Sequence, residues 1–478
     1  MNRVKKTVLL IAIAPLILTL SFNHARAADI VGTPAANAAL LVEADTGQVL
    51  FEYNKDAPQP ADALTKVMTL LVAVAACRDS VVSTSDLVTM DPDAWVDIGP
   101  SSTTRNIKED EEMTLLDLMY TAFTGSANEA GNMVAIHIAG SVDAFVVMMN
   151  EMATSIGCEK TNFTNPHGQY DADQYTTAYD QYLIYHEALS YPLFEEIAGT
   201  LRYSAEISGR SGEFTVTSSN SMLNPSSKYY YRHCVSGVSS AVLDDGTTGA
   251  SYEGGHSSIA LAETDALSLI AVVLGSDVLL LEDSSTQRRN LTESQRLFEY
   301  GFSQFSWRSI ISTEELVAKT PIVNGSGADF VILRPESEIM GLLDNDIPDN
   351  AFIRAITIFS EVNGETLYAP IEAGDVLGEV TITRNGTIIG TVRLVASTSI
   401  ELHRLQNIKN QIAEVLSSTV AQIIIWVLAI LVALYAALVI RYNIIRSKRK
   451  RMNMEARQKL VEERQSPNQT HGSQKTRL

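Results

Sequence analysis

The sequence predicts an α/β (α+β) domain, then a small all-β domain, an amphipathic helix and one C-terminal transmembrane helix. Three observations carry this reading. Helix-period segments cluster between an early strand pair and a late one. Beyond Leu316 the pattern changes to short alternating segments broken by turn residues. Near the end, Ile423–Ile440 is apolar almost without interruption. With Val420 and Ala421 it supplies about 20 residues, enough at ~1.5 Å each to match a ~30 Å hydrocarbon core.

At the start, Arg3, Lys5 and Lys6 precede the apolar run Val8–Leu20, and Ala25-Arg-Ala27 follows as a cleavage pattern. Residues 1–27 read as a signal peptide, with an uncleaved anchor as the alternative. Ala38–Tyr53 reads as two strands around Asp45-Thr-Gly47, and Lys66–Ala76 as a buried helix. Leu115, Leu116, Leu118, Met119 and Ala122 recur at helical intervals in Thr114–Phe123. Helices are expected over Ala130–Ala139, Val142–Ile156 and Thr176–Leu189. Arg202–Ser219 alternates weakly. Ser258–Ala262 and Leu267–Leu274 read as core strands, and Thr292–Phe302 as a closing helix. The α/β domain is thus expected over 28–305 and the all-β domain over 316–398, with a hairpin at Asn385-Gly386. Leu402, Leu405, Ile408, Ile412 and Val415 form one stripe of a helix over 399–417, either lying on a bilayer or acting as a stalk. The span 419–440 leads into a basic tail, 441–478, whose polar end reads as disordered. Positive charge after the span puts the tail in the cytoplasm and the rest outside the cell.

The net charge of −20 is unevenly placed. Arg441–Leu478 has eleven Lys/Arg and three Glu, about +8, and the first 27 residues add about +4. Subtracting both from −20 leaves about −32 on the segment between. So acidic a body argues against nucleic acid as a partner. The cysteines, Cys77, Cys158 and Cys234, show no metal-ligand spacing, and no metal or cofactor is expected. Cys77 and Cys158 read as core residues, and at most one internal disulfide is allowed.

The candidate chemistry starts at Ala63-Leu-Thr-Lys66, where lysine opens an apolar run and the residue one turn earlier is alanine. Ser126-Ala-Asn128 interrupts two helical segments and presents a hydroxyl and an amide at i and i+2. Either feature alone is commonplace. Asp62 reads as a helix cap, His167 as a turn residue and His256 as strand-edge packing.

The series changes the weight of its parts. Pro60-Ala61, Lys66-Val-Met-Thr69, Ser126-Ala-Asn128, Met149-Asn-Glu-Met-Ala153 and Asn165-Pro-His-Gly168 follow in order. Together they resemble the low-molecular-mass penicillin-binding proteins, which are serine D-alanyl-D-alanine carboxypeptidases. Ala369–Gly378 and Asn385-Gly386 resemble that family's membrane-proximal β domain. The resemblance implies a penicillin-binding/β-lactamase-like transpeptidase fold. It implies a peptidoglycan stem peptide ending in D-Ala-D-Ala as ligand, and anchorage by the C-terminal helix. It also implies an S-x-x-K nucleophile at position 63, where this chain has Ala63, with Lys66, Ser126 and Asn128 beside it. The family's K-T-G element, which holds the substrate carboxylate, matches Thr247-Thr248-Gly249 or, in a second alignment, Gly237-Val-Ser-Ser-Ala241. Neither contains lysine.

Loss of a serine nucleophile typically costs ~10⁶-fold in rate. The resemblance therefore implies a pseudoenzyme that binds wall peptide. The alternatives are a weakly active carboxypeptidase with an unusual nucleophile, or an interaction scaffold with a vestigial cleft.

Overall fold

The computed structural model describes residues 32–99, 102–210, 212–240, 255–280, 286–403, 408–409, 412–413 and 417–463. The signal-peptide segment and Thr247-Thr248-Gly249 lie outside the described residues. The chain divides into two compact units. One runs to Ile311 and takes in Glu338–Arg354 and Ile382–Gly390; the other comprises Ser312–Ser337, Ala355–Thr381 and the chain from Thr391.

The first unit is built on an antiparallel sheet of β1 (Ala38–Glu43), β2 (Val49–Tyr53), β3 (Cys234–Ser239), β4 (His256–Glu263) and β5 (Ser268–Ser276), in the order β2-β1-β5-β4-β3. The early hairpin and the late strands meet mid-sheet, with Ala38 opposite Leu274 and Glu43 opposite Leu269. Both faces are covered. Leu40, Val42, Ile270 and Val272 join one core, while Leu41, Ala271 and Val273 join the other. This explains why β1 and β5 read as continuous apolar runs: neither face meets water.

The first core holds α1 (Thr65–Arg78), α2 (Leu115–Phe123), α3 (Asn128–Ala139), α4 (Val142–Ile156), α5 (Ala178–Leu189) and α6 (Pro192–Gly199). On the opposite face α7 (Arg289–Gln304) contributes Leu291, Leu297 and Phe298. Thr114, Ser141 and Thr177 cap α2, α4 and α5 through their hydroxyls. Helix α1 is buried on all sides from Thr65 to Ala76, so it has no polar face to signal its orientation. Fully burying each of its larger apolar side chains contributes ~1.5–3 kcal/mol. Cys77 and Cys158 pack against this core, and all three cysteines are free thiols.

Strand β3 is an edge strand, marked in the sequence only by the second K-T-G alignment at Gly237–Ala241. Its Ser236, Gly237 and Ser239 break any apolar alternation. Gly237 has φ +146°, and a Cβ there would lie 2.5 Å from the Ile259 carbonyl oxygen on β4. Only glycine allows the two strands to approach this closely.

Seven further strands follow: β6 (Phe305–Ile311), β7 (Ala318–Pro321), β8 (Phe330–Pro335), β9 (Ile339–Asp344), β10 (Ile353–Ile358), β11 (Val376–Arg384) and β12 (Thr387–Ala396). β6 pairs with β9, and the others form a sheet in the order β7-β8-β12-β11-β10. Asn385 and Gly386 both have positive φ, 50° and 82°, as the expected Asn-Gly hairpin requires.

Two expectations about the C-terminal part need correction. Leu402 does not start a helix; it bridges Gly325 in extended conformation, while Ile408 and Ile412 are helical and exposed. Leu405 and Val415 lie outside the described residues. Helix α8 (Thr419–Glu463) continues well into the segment read as disordered. Met452, Glu455, Ala456 and Arg457 are strong helix formers, and elongating an existing helix avoids the cost of nucleation. Within α8, Gln422–Arg457 is long and apolar enough to cross a membrane.

Candidate active site

The N-terminal end of α1 is reached through a 3-10 turn, Asp62–Leu64, and both are buried. Lys66 lies in the first helical turn. Its ammonium donates to Asn128 Oδ1 at 3.0 Å and to the main-chain oxygen of His167. One turn on, Thr69 Oγ1 donates to the Pro166 carbonyl at 2.5 Å. The Asn165–Gly168 turn is thus clamped to α1 by two adjacent side chains. Within the turn, Asn165 Oδ1 accepts from Gly168 N at 2.7 Å. Gly168 has φ +83°, and a Cβ there would lie 2.1 Å from the Asp62 carbonyl oxygen. The turn therefore bears directly on the chain just ahead of Ala63.

Burial pushes the Lys66 pKa down from 10.5 to about 8, against the opposing pull of Asp62 and Glu129. At neutral pH Lys66 remains mostly a cation. His167 is the reverse case: burial, reinforced by the Lys66 charge, pushes it down to about 3, so its ring is neutral. Its Nδ1 accepts from Gln169 N at 3.2 Å. His167 thus serves through its carbonyl and its ring acceptor, consistent with a turn residue.

Ser126 and Asn128 sit at the break between α2 and α3, both buried. Ser126 has φ +53°, an unfavourable conformation for serine that costs ~1–3 kcal/mol. Asn128 N donates to the Thr103 carbonyl at 2.9 Å, leaving its side chain to face Lys66. Behind it, Glu129 Oε1 accepts from Arg105 N at 2.5 Å. Burial raises the Glu129 pKa.

The facing side is the end of β3. Ser240 Oγ donates to Asp62 Oδ2 and is itself held by Ser257 N at 2.8 Å. Arg288, just ahead of α7, reaches the same place. Its Nη2 donates to Ser239 Oγ at 2.9 Å and to the Ser240 carbonyl, and its Nη1 to Ser221 Oγ at 3.1 Å. Burial lowers the Arg288 pKa to about 10, which leaves it charged at neutral pH. Burial raises the Asp62 pKa, opposed by its hydrogen bond to Ser240 and by His256. His256, buried at the start of β4, is pushed down by desolvation.

Asp62 does not cap the helix, contrary to expectation. Neither the turn nor α1 has a side-chain cap. Asp62 lies inside the turn with φ +48°, and its carboxyl crosses to Ser240 instead. Lys66 and Asn128, 62 residues apart, are in direct contact, and Ala63 lies in the 3-10 turn just before α1. Sequence reasoning missed Arg288 and the Asp62–Ser240 bridge. Gly237-Val238 marked the strand as an alternative, but nothing local tied it to Arg288. Chemically, the arrangement offers a buried cation beside a position without a hydroxyl, and a second cation at the strand end.

Residues 24–278, just over half the chain, match the family described as D-alanyl-D-alanine carboxypeptidase. Residues 305–402 match the penicillin-binding protein 5 C-terminal domain. Among curated relatives, D-alanyl-D-alanine carboxypeptidase DacF of Bacillus subtilis (strain 168) is 26% identical over 355 residues, 74% of this chain and 83% of that protein. D-alanyl-D-alanine carboxypeptidase DacC of Escherichia coli (strain K12) is 26% identical over 377 residues, 77% of this chain and 84% of the relative. Penicillin binding protein 5 from Haemophilus influenzae shares the fold at TM-score 0.53 and 22% identity, covering 77% of this chain and 98% of its own. So does a peptidoglycan synthesis regulatory factor (PBP3) from Streptococcus pneumoniae, at TM-score 0.54 and 22% identity, covering 77% of this chain and 100% of its own.

Proposed function

This chain belongs to the D-alanyl-D-alanine carboxypeptidase family, and from that premise we propose that it is a pseudoenzyme, binding cell-wall stem peptides ending in D-Ala-D-Ala without cleaving them. One observation carries the reading. The Lys66 ammonium is buried and held by Asn128 and His167, yet the residue a turn earlier is Ala63. In the family chemistry a serine oxygen at that position attacks the scissile carbonyl and forms an acyl-enzyme. A methyl group cannot do so. Thr65, the nearest hydroxyl on α1, is buried and accepts from Gln174 Nε2 at 3.4 Å, on a different helix face. The main-chain N–H of Ala63 survives the substitution and can still contribute to polarising a bound carbonyl.

The second wall of the cleft is the end of β3, with Ser239-Ser240 at the K-T positions. This assignment is supported by the strand itself, by the Ser240–Asp62 contact next to Ala63, and by the Gly237-Val238 that leads into it. The protein is exported, held by α8, with the basic tail in the cytoplasm; the length and apolar character of Gln422–Arg457 support the anchor.

The test is calorimetry of the full chain in detergent with a stem peptide ending in D-Ala-D-Ala, with free D-alanine assayed in the same samples. Binding without D-alanine release is expected. Release of D-alanine, or no binding heat, overturns the reading.

A further inference from the structure

We infer that the outer face of strand β7 docks on the outer leaflet of the membrane, with Phe330 and Tyr368 seated at the level of the lipid headgroups. The inference rests on the reading of α8 as a membrane anchor and adds a second point of attachment to it.

Strand alternation builds the face. Thr320 and Ile322 are buried, so Lys319, Pro321 and Val323 point outward. β7 is an edge strand, and two exposed aromatic residues flank this line. Phe330 pairs with Pro321 across the ladder to β8. Tyr368 forms a parallel bridge with Val323. There Val323 N donates to the Leu367 carbonyl at 2.9 Å, and Ala369 N to the Val323 carbonyl at 3.0 Å. Paired residues share a face, so Pro321, Val323, Phe330 and Tyr368 make one patch. Val323 is 41% exposed, Phe330 46% and Tyr368 57%. The Lys319 ammonium lies 5.5 Å from the centre of the Phe330 ring. Apolar side chains exposed as a group, rather than singly, mark a contact surface. Aromatic rings with a lysine beside them suit a bilayer interface, where the ammonium reaches the headgroups.

The path of the chain says what covers the patch. The loop after Val323 runs alongside the last extended residues of the domain. Ser326 N donates to the Glu401 carbonyl at 2.8 Å, Gly325 bridges Leu402, and His403 N donates to the Asn324 carbonyl at 2.9 Å. The chain therefore leaves the domain at His403, next to the patch, and α8 begins at Thr419. Residues 404–418 join the two, a reach of about 50 Å if fully extended and about 22 Å if helical. So short a tether keeps the patch close to the bilayer that holds α8. There a tyrosine can bury its ring and keep its hydroxyl wet. Asp329 and Glu401 are exposed beside the patch, so the contact is apolar and owes nothing to anionic lipid.

The experiment is tryptophan fluorescence of the full chain reconstituted in phosphatidylcholine vesicles, with and without lipids brominated on their acyl chains. The parent is compared with Phe330→Trp and Tyr368→Trp. Trp426 lies in α8, so its quenching by bromine in the parent reports insertion of the anchor. The emission that each variant adds to the parent's is expected to be blue-shifted, and most of it to be lost on the brominated lipid. Both variants keep a large ring at an exposed position, and either serves if the other disturbs folding. Added emission that bromine leaves untouched at both positions, with Trp426 quenched, overturns the inference and leaves the anchor reading intact. A blue shift without quenching, reversed by diluting the protein in lipid, means that a second copy covers the face, and overturns it too. If Trp426 is not quenched either, the anchor reading falls with it.

Discussion

The two sides of the proposed cleft differ in how closely each matches what the family chemistry needs. On the helical wall, Lys66, Asn128, Thr69 and the Asn165–Gly168 turn form a closed set of buried hydrogen bonds. On the strand wall, the lysine is absent and two serines, a buried arginine and Asp62 stand in its place. Yet, on the proposed reading, the helical wall is the one without the reacting oxygen, because Ala63 stands at that position. The difference separates the roles of two lysines. Lys66 still ties α1 to α3 and to the turn, so its removal would break the fold locally whether or not chemistry takes place. The strand lysine holds only a ligand, and its position is free to change. On the proposed reading, a structural duty preserves geometry where the chemistry is absent.

The largest effect expected from breaking this contrast comes from returning the oxygen. Ala63→Ser should turn an unlabelled chain into one that slowly acquires a fluorescent penicillin, up to several orders of magnitude above background, since a missing nucleophile costs ~10⁶-fold. Adding Ser239→Lys should accelerate labelling further. If Thr247→Lys accelerates it instead, the strand wall has been assigned to the wrong segment.

Next in size is Lys66→Met. It leaves Asn128 Oδ1 and the His167 carbonyl buried without their donor, at ~1–3 kcal/mol each. A loss of about 3 kcal/mol in chemical denaturation of the first unit is expected, against under 1 kcal/mol if the lysine were there for chemistry alone. The same lysine predicts a pH signature. Its pKa falls from 10.5 to about 8 on folding, so between those values the unfolded chain holds the extra proton. Stability from this group should therefore rise with pH across that window, and the rise should vanish in Lys66→Met.

The smallest effect is on the strand wall. Burial raises the Asp62 pKa, so its contribution is present at low pH and is lost as pH climbs through the folded value. Asp62→Asn should flatten that decline, leaving the variant within about 1 kcal/mol of the parent at pH 7 by thermal unfolding. A large loss there would mean that the Asp62–Ser240 bridge supports the fold as Lys66 does.

The same contrast governs what could be read without coordinates. The helical wall was legible because its parts announce themselves locally: a lysine opening an apolar run, Ser126-Ala-Asn128 at a helix break, a Pro-containing turn. The strand wall was not. β3 is an edge strand of small polar residues, so no alternation marks it. Arg288 follows Ser239 by 49 residues and meets it only through the order of the sheet. Asp62 looked like a cap because aspartate before a helix usually is one. Its positive φ places it inside a 3-10 turn instead, and that is a tertiary effect of the close approach of Gly168. At the far end, Met452–Glu463 continues a helix begun in the apolar segment, where composition alone suggested none.

The central claim is that this cleft has no nucleophile, and it can be tested without any variant. The full chain, in detergent, is incubated with excess penicillin and its intact mass is measured. The account predicts a mass unchanged by the drug; a covalent adduct on any residue of the cleft would contradict it.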